Sequence, residues 1–314
     1  MVAGIEKDAL SGITDLSAII WNPTTKFTAE VRNPNLLLYV KAEEYASSNI
    51  RNIVVNGTAP SITLTEAVSG NNFYCPQAFV AQHIIYTHHY GMTTGVNEAR
   101  GWETIALPFD VQTISHAEKG AMIPFAGWSS EKAEKPFWLY EMTGNGFVKA
   151  SEIKAYTPYI ISMPNNTQYT DEWLLNGSVT FEAHGVYIDT SENLHKAQFK
   201  DRTFVPCFST KSSIEGLYAL NVNNDYSQNN TGMPEGSRFV LNMRPIHPFE
   251  AFMTTENNAR AFIPIFENGL PTDISIMLMN KDGEPSKLYN LNGQQVEHPK
   301  NGVYIVNGKK VVIK

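Results

Sequence analysis

Short apolar segments rich in β-branched and aromatic residues, each closed by Gly, Pro, Asn, Asp or Ser, follow one another along this chain with almost no 3.6-residue periodicity. That pattern favours strands over helices. The clearest segments are residues 36–40, 62–65, 79–90, 104–111, 137–142, 159–163, 178–182, 202–208, 217–222, 238–243, 249–254 and 261–266. Between 137–142 and 147–149, the run Thr143-Gly144-Asn145-Gly146 predicts a hairpin, because Gly and Asn accept the positive φ of tight turns. Only 42–48 and 191–199 read as one or two helical turns each. With no strand–helix alternation, the expectation is an all-β chain. Its main region, 1–268, should be antiparallel and sandwich-like, as one sandwich or two packed ones, rather than any βαβ arrangement.

The end of the chain has a different texture. After a linker-like Glu267-Asn268-Gly269-Leu270-Pro271 come strand-sized segments at 274–279, 287–291, 294–296, 303–306 and 309–313. They are divided by Asn292-Gly293, Asn301-Gly302 and Asn307-Gly308, and Asn-Gly is the strongest short hairpin signal because both central residues of a type I′ turn need positive φ. Residues 269–314 therefore read as a small C-terminal β-hairpin domain, near the size at which a lone core is inadequate. A long polar loop is expected at 221–236 and a second at 165–171.

Charge narrows the list of partners. With 24 Lys+Arg against 31 Asp+Glu the net charge is −7, and the largest basic cluster is the pair Lys309-Lys310. Nucleic acids and anionic membranes need concentrated cations, so neither is an expected partner. No apolar run approaches the roughly 18 residues of a membrane helix, so no membrane-spanning segment is expected. The first residues lack a positive n-region followed by an apolar stretch, so a signal peptide is absent or removed. Cys75 and Cys207 are too few for a disulfide scaffold or a four-ligand zinc site; they either bridge or, the favoured reading, stay as buried free thiols.

Catalytic motifs are missing. There is no Gly-x-Ser-x-Gly elbow, no phosphate loop and no His-Glu-x-x-His. His83, His88 and His89 form the densest histidine group, but strand alternation sets His83 and His89, with Phe79, Ala81 and Ile85, on one face and His88, with Ile84, Tyr86 and Tyr90, on the other. His83 and His89 lie about 20 Å apart along an extended strand, so no metal and no other cofactor is expected. Glu141, Asp171, Glu172, Glu182 and Asp189 are available carboxylates, and a glycosidase would need two of them facing across a cleft.

Aromatic residues beside polar ones offer another chemistry. Trp173 follows the polar loop as Tyr169-Thr170-Asp171-Glu172-Trp173, and Trp128 sits in Ala126-Gly127-Trp128-Ser129-Ser130. A flat ring can cover the apolar face of a sugar while Asp171 and Glu172 accept its hydroxyl protons, which makes Trp173, Tyr169, Asp171, Glu172 and Trp128 the candidate ligand-binding residues. The competing role for each Trp is to cover a core edge. Trp102 and Trp138, within apolar strand patterns, are expected in the core.

The tail Leu288-Tyr289-Asn290-Leu291-Asn292-Gly293-Gln294-Gln295-Val296, followed by Gly302-Val303-Tyr304-Ile305-Val306 and a last Lys/Val-rich strand ending at Lys314, resembles the C-terminal sorting domain of secreted Bacteroidetes proteins. It differs in Asn290, where Asp is commoner, and in Gln294-Gln295, where basic residues are commoner. Upstream, Gly101-Trp102-Glu103-Thr104-Ile105-Ala106-Leu107-Pro108-Phe109-Asp110-Val111 and Pro248-Phe249-Glu250-Ala251-Phe252-Met253 are similar to segments of uncharacterised Bacteroides and Prevotella surface proteins, some with leucine-rich repeats. The tail resemblance implies export across the outer membrane by the type IX route, or descent from proteins so exported, and a place outside the cell or on its surface. The resulting expectation is a non-enzymatic binding or structural module, with an extracellular glycan or a host surface protein as partner. The alternatives are an extracellular carbohydrate-active hydrolase and a ligand-free spacer that presents upstream domains.

Overall fold

The computed structural model describes residues 4–65, 71–96, 99–222, 234–256, 260–266, 288–296, 302–306 and 309–313. The architecture is all-β, with three short 3-10 turns as the only helical elements among these residues. Each of the strand segments read from the main region overlaps an observed strand, and the hairpin at 143–146 joins β10 to β11. The expected turn at 42–48 is the 3-10 turn Glu43–Tyr45, whereas 191–199 ends in a strand, Ala197–Phe199.

The chain begins with a stack rather than a sandwich. β1 (Ala18–Trp21), β2 (Leu37–Val40) and β3 (Asn52–Val55) pair in parallel, each residue of one coil beside its counterpart in the next. β4 (Thr58–Ala59) and β5 (Ile62–Leu64) then lie parallel to β6 (Phe79–Tyr90). Registered partners stand 19, 15 and 22 residues apart, so the backbone winds like a short β-solenoid with irregular crossovers. Both faces of β2 are buried: Leu36, Leu38 and Val40 join Trp21, Phe27 and Ile50 on one side, while Leu37 and Tyr39 enter the main core on the other.

Irregular backbone buried between coils needs hydrogen-bond partners. Three buried asparagines supply them. Asn35 Nδ2 donates to the Thr65 and Asn71 carbonyls while its Oδ1 accepts from the Thr65 N–H at 2.7 Å. Asn52 Nδ2 donates to the Pro34 and Thr63 carbonyls, and its Oδ1 accepts from the Thr63 N–H. Asn33 Nδ2 bridges to the Leu16 and Asn72 carbonyls.

From β6 the large sheet turns mostly antiparallel. β7 (Glu103–Ile105), β8 (Thr113–His116), β9 (Gly120–Pro124), β10 (Lys135–Thr143), β11 (Gly146–Lys149), β12 (Tyr159–Ser162) and β13 (Gly177–Ile188) complete thirteen strands. Their order is β1-β2-β3-β4-β6-β13-β8-β9-β10-β12-β7, with β5 on β6 and β11 on β10. A second, antiparallel sheet contains β14 (Ala197–Phe199), β15 (Arg202–Pro206), β16 (Tyr218–Leu220), β17 (Arg238–Leu241), β18 (Ala251–Thr255) and β19 (Phe262–Pro264). Trp138, Tyr140 and Met142 of β10 share a core with Phe204, Tyr218, Phe239 and Met253 of this sheet, while Phe137 and Leu139 on the opposite face of β10 join the core under β6 and β13. Trp102 and Trp138 are both buried, as expected.

The antiparallel sandwich is thus replaced by a mixed sheet that opens with a solenoid-like stack. Parallel neighbours need a crossover of a dozen or more residues but not a helical one, and here the buried asparagines do the work that helix hydrogen bonds usually do.

At the C-terminal end β20 (Leu288–Asn290), β21 (Gly302–Val306) and β22 (Lys309–Ile313) form a three-stranded antiparallel sheet. Asn290 Oδ1 accepts from the Asn292 and Gln294 N–H groups and Gly293 has φ +78°, so Asn292-Gly293 is a turn. The linker 267–271, the segment 274–279, Asn301, Asn307-Gly308 and the centre of the 221–236 loop lie outside the described residues. Among the described residues no helix is long and apolar enough to cross a membrane.

Candidate functional site

The longest ladder among the described residues pairs β6 with β13, from Gly177↔Tyr90 to Ile188↔Phe79. One face is core: Phe79, Ala81, Ile84, Tyr86 and Tyr90 on β6, with Val179, Phe181, Ala183 and Ile188 on β13. Strict alternation fails midway on both strands. On β6 the buried positions pass from odd to even between Ala81 and Ile84, and on β13 from odd to even between Ala183 and Ile188, where Gly185 has φ +62°. Pairing continues through the switch, with His184 opposite His83 and Val186 opposite Ala81.

The switch leaves His83 and His184 outside the core at the same level. Their rings are stacked, with centroids 4.6 Å apart and planes 7° from parallel. Both reach Glu182: Oε1 accepts from His83 Nε2 at 2.7 Å and from His184 Nε2 at 3.0 Å. Their side chains are 34% and 62% exposed and that of Glu182 32%, so the cluster opens to solvent. The His184 backbone is held by a side chain rather than a strand. β8 ends its ladder with Thr113 opposite Glu182, and Gln112 continues it, donating from Nε2 to the His184 carbonyl and accepting the His184 N–H at Oε1.

The same outer face carries a Thr87–Thr180 hydroxyl pair at 2.9 Å and, at its other end, the register pair Tyr187 and Val80. Tyr187 is 63% exposed and Val80 39%. The face therefore joins an open aromatic ring to a polar strip.

His88 points to the other side, as alternation from Ile84 onward requires. Its Nε2 meets Glu103 of β7 at 2.6 Å and its ring packs edge-on against Tyr90. The division between His83 and His88 stands, but Phe79 and Ala81 lie opposite His83 rather than beside it, because the switch falls between them. The expectation of no metal-ligand set considered spacing along one strand; across two strands the ligand atoms of His83, Glu182 and His184 come within 4.8 Å of one another.

The aromatic residues expected to stack on a sugar sit elsewhere. Trp173 closes the 3-10 turn Asp171–Trp173 and is 5% exposed; Tyr169 is equally buried and its hydroxyl donates to the Gly95 carbonyl. Burial pushes the Tyr169 phenol above its ordinary range. Trp128 is half-buried, its ring edge-on to Trp173 at 5.6 Å and its indole N–H donating to the Glu134 carbonyl. Asp171 and Glu172 are exposed, with Glu172 3.8 Å from Lys135 Nζ. The amides of the preceding loop turn inward: Asn165 Nδ2 donates to the Met92 carbonyl and Asn166 Nδ2 to that of Thr94. So the carboxylates of the expected platform lie at the surface and its Tyr169 and Trp173 rings do not.

Of the carboxylates considered for a glycosidase, Asp189 and Glu182 are engaged separately. Asp189 accepts the Thr190 N–H on one oxygen and Asn193 Nδ2 on the other, while Glu182 belongs to the histidine cluster. Both cysteines are free and buried, and burial raises their thiols to about 11 for Cys75 and about 12 for Cys207. Thiols so protonated are poor nucleophiles.

Sequence reasoning passed over His184, Tyr187 and the joining of Glu182 to His83. The one local signal was Gly185, whose freedom at positive φ permits the change of face. Compared with protein-family models, with curated proteins and with solved structures, the chain matches none.

Proposed function

We propose that this chain is an exported binding module that presents the outer face of β6 and β13 to an extracellular glycan. The observation that carries the reading is Tyr187, 63% exposed at one end of a strip that includes His184, His83, Glu182 and the Thr87–Thr180 pair. A phenol ring open to solvent can lie against the apolar face of a sugar, and imidazole, carboxylate and hydroxyl groups beside it can exchange hydrogen bonds with the sugar hydroxyls. These residues lie on two strands paired over their length rather than on a loop, so little backbone ordering opposes binding. Export rests on the resemblance of the tail to a sorting domain, and it predicts that a chain lacking residues 270–314 stays in the periplasm of a host with a type IX system.

The test is a glycan array probed with the full chain, followed by affinity measurement on Tyr187→Ala. Loss of a stacking ring should weaken binding about 10–100-fold. An array without a hit, or a hit whose affinity is unchanged by Tyr187→Ala, would remove this reading.

A further inference from the structure

We propose that His83, Glu182 and His184 form a binding site for one divalent transition-metal ion of the borderline class, such as Zn²⁺ or Cu²⁺. Two imidazole nitrogens and one carboxylate oxygen are the donor set these ions prefer, and it disfavours Ca²⁺ and Mg²⁺, which select oxygen. All three donor atoms lie within 4.8 Å of one another, and Glu182 Oε1 is 2.7 and 3.0 Å from the two Nε2 atoms. Metal bonds of about 2.0–2.1 Å at tetrahedral or square angles separate ligand atoms by about 2.9–3.4 Å. The two contacts to Glu182 therefore need to change by only a few tenths of an ångström, while the stacked imidazoles, whose ring centroids are 4.6 Å apart, turn about their side-chain torsions to aim both Nε2 atoms at the ion. Each imidazole would bind through Nε2 with its proton on Nδ1.

The backbone prepares this convergence. Gly185 at φ +62° and the matching change of face on β6 bring both histidines out of the core at one level, and the Gln112 amide clamps His184 from the far side. Three protein donors leave at least one coordination position for water or a ligand, and the exposure of His184 opens that position to solvent. The site stands on this geometry alone and is independent of whether the same face takes a glycan.

The experiment uses the full chain, purified without an affinity tag and stripped with a chelator, titrated calorimetrically with ZnCl₂, then CuCl₂, with CaCl₂ and MgCl₂ as controls. The expected result is one Zn²⁺ or Cu²⁺ per chain with no comparable uptake of Ca²⁺ or Mg²⁺. His184→Ala, whose side chain is mostly exposed, should keep the thermal unfolding of the parent and lose at least tenfold in affinity; Glu182→Gln should lose affinity too. His89→Ala, which removes an exposed histidine of β6 outside the cluster, should bind as the parent does. Absence of stoichiometric binding, or an ion that binds His184→Ala as tightly as the parent, would overturn the proposal.

Discussion

His83 and His184 stand directly opposite each other across the β6–β13 ladder, their rings 4.6 Å apart and nearly parallel, although 101 positions separate them in sequence. Nothing in either local segment requires this meeting. It follows from a change of face that both strands make at the same level, and Gly185 is the residue on β13 that permits it.

That assignment makes Gly185 a point of strain for any other side chain. Open space surrounds its added Cβ, so a clash is absent and only the φ of +62° opposes substitution. Gly185→Ala should therefore cost about 1–2 kcal/mol in urea unfolding, and Gly185→Asn less, because Asn tolerates the left-handed region. Equal stability of the Ala variant and the parent would contradict the role given to this backbone.

The solenoid-like stack depends on amides where a helix would otherwise satisfy the crossover. Asn35→Ala leaves the Thr65 N–H and two carbonyls without their partner, and Asn52→Ala does the same at Thr63 and Pro34. Each orphaned group costs about 1–3 kcal/mol, so either variant should show a large fall in the urea midpoint with an unchanged slope. A shift no larger than that of a surface Asn→Ala control would mean that the crossovers are held otherwise.

Burial raises both thiols, to about 11 for Cys75 and about 12 for Cys207, the latter helped by the Glu250 carboxylate. The folded chain thus holds these protons more tightly than the unfolded chain, whose thiols titrate near 9.0. The stabilisation is complete below that pH and is lost as pH rises from 9 toward 11–12, by about 1.4 kcal/mol per pH unit for each thiol. The double variant Cys75→Ala, Cys207→Ala should show a shallower decline of unfolding free energy over that interval. A decline as steep as the parent's would assign the alkaline loss to other groups.

Strand existence was legible along most of the chain, and β6 is readable to its ends, because aromatic and β-branched runs bounded by turn residues carry their own signal. Direction was not. β1 and β3, AIIW and NIVV, are not among the segments legible as strands, and nothing in runs of four residues distinguishes a parallel neighbour from an antiparallel one. The pairing is decided by Asn33, Asn35 and Asn52, which in sequence look like ordinary loop residues. The metal-ligand set was hidden for a related reason: His83, Glu182 and His184 are neighbours only through the ladder. Trp173 misled in the other direction, since polar sequence neighbours suggest an open ring, whereas Asn165 and Asn166 turn their amides inward and the ring seals the second core.

Trp173→Ala should accordingly cost about 3–5 kcal/mol of stability, the range for truncating a buried aromatic. Thermal unfolding measures it. In Trp173→Phe, which keeps most of the apolar volume, glycan affinity should match the parent. A lost affinity in a stably folded Phe variant would return the binding site to the 165–173 segment.

The outer face of β6 and β13 is tested most directly by aromatic NMR on the chain with labelled tyrosine, titrated with the best glycan from the array. Of the 14 tyrosines, Tyr187 should shift on binding, its resonance assigned by loss in Tyr187→Phe, while buried Tyr169 stays in place. A spectrum in which Tyr169 moves and Tyr187 does not would contradict the account.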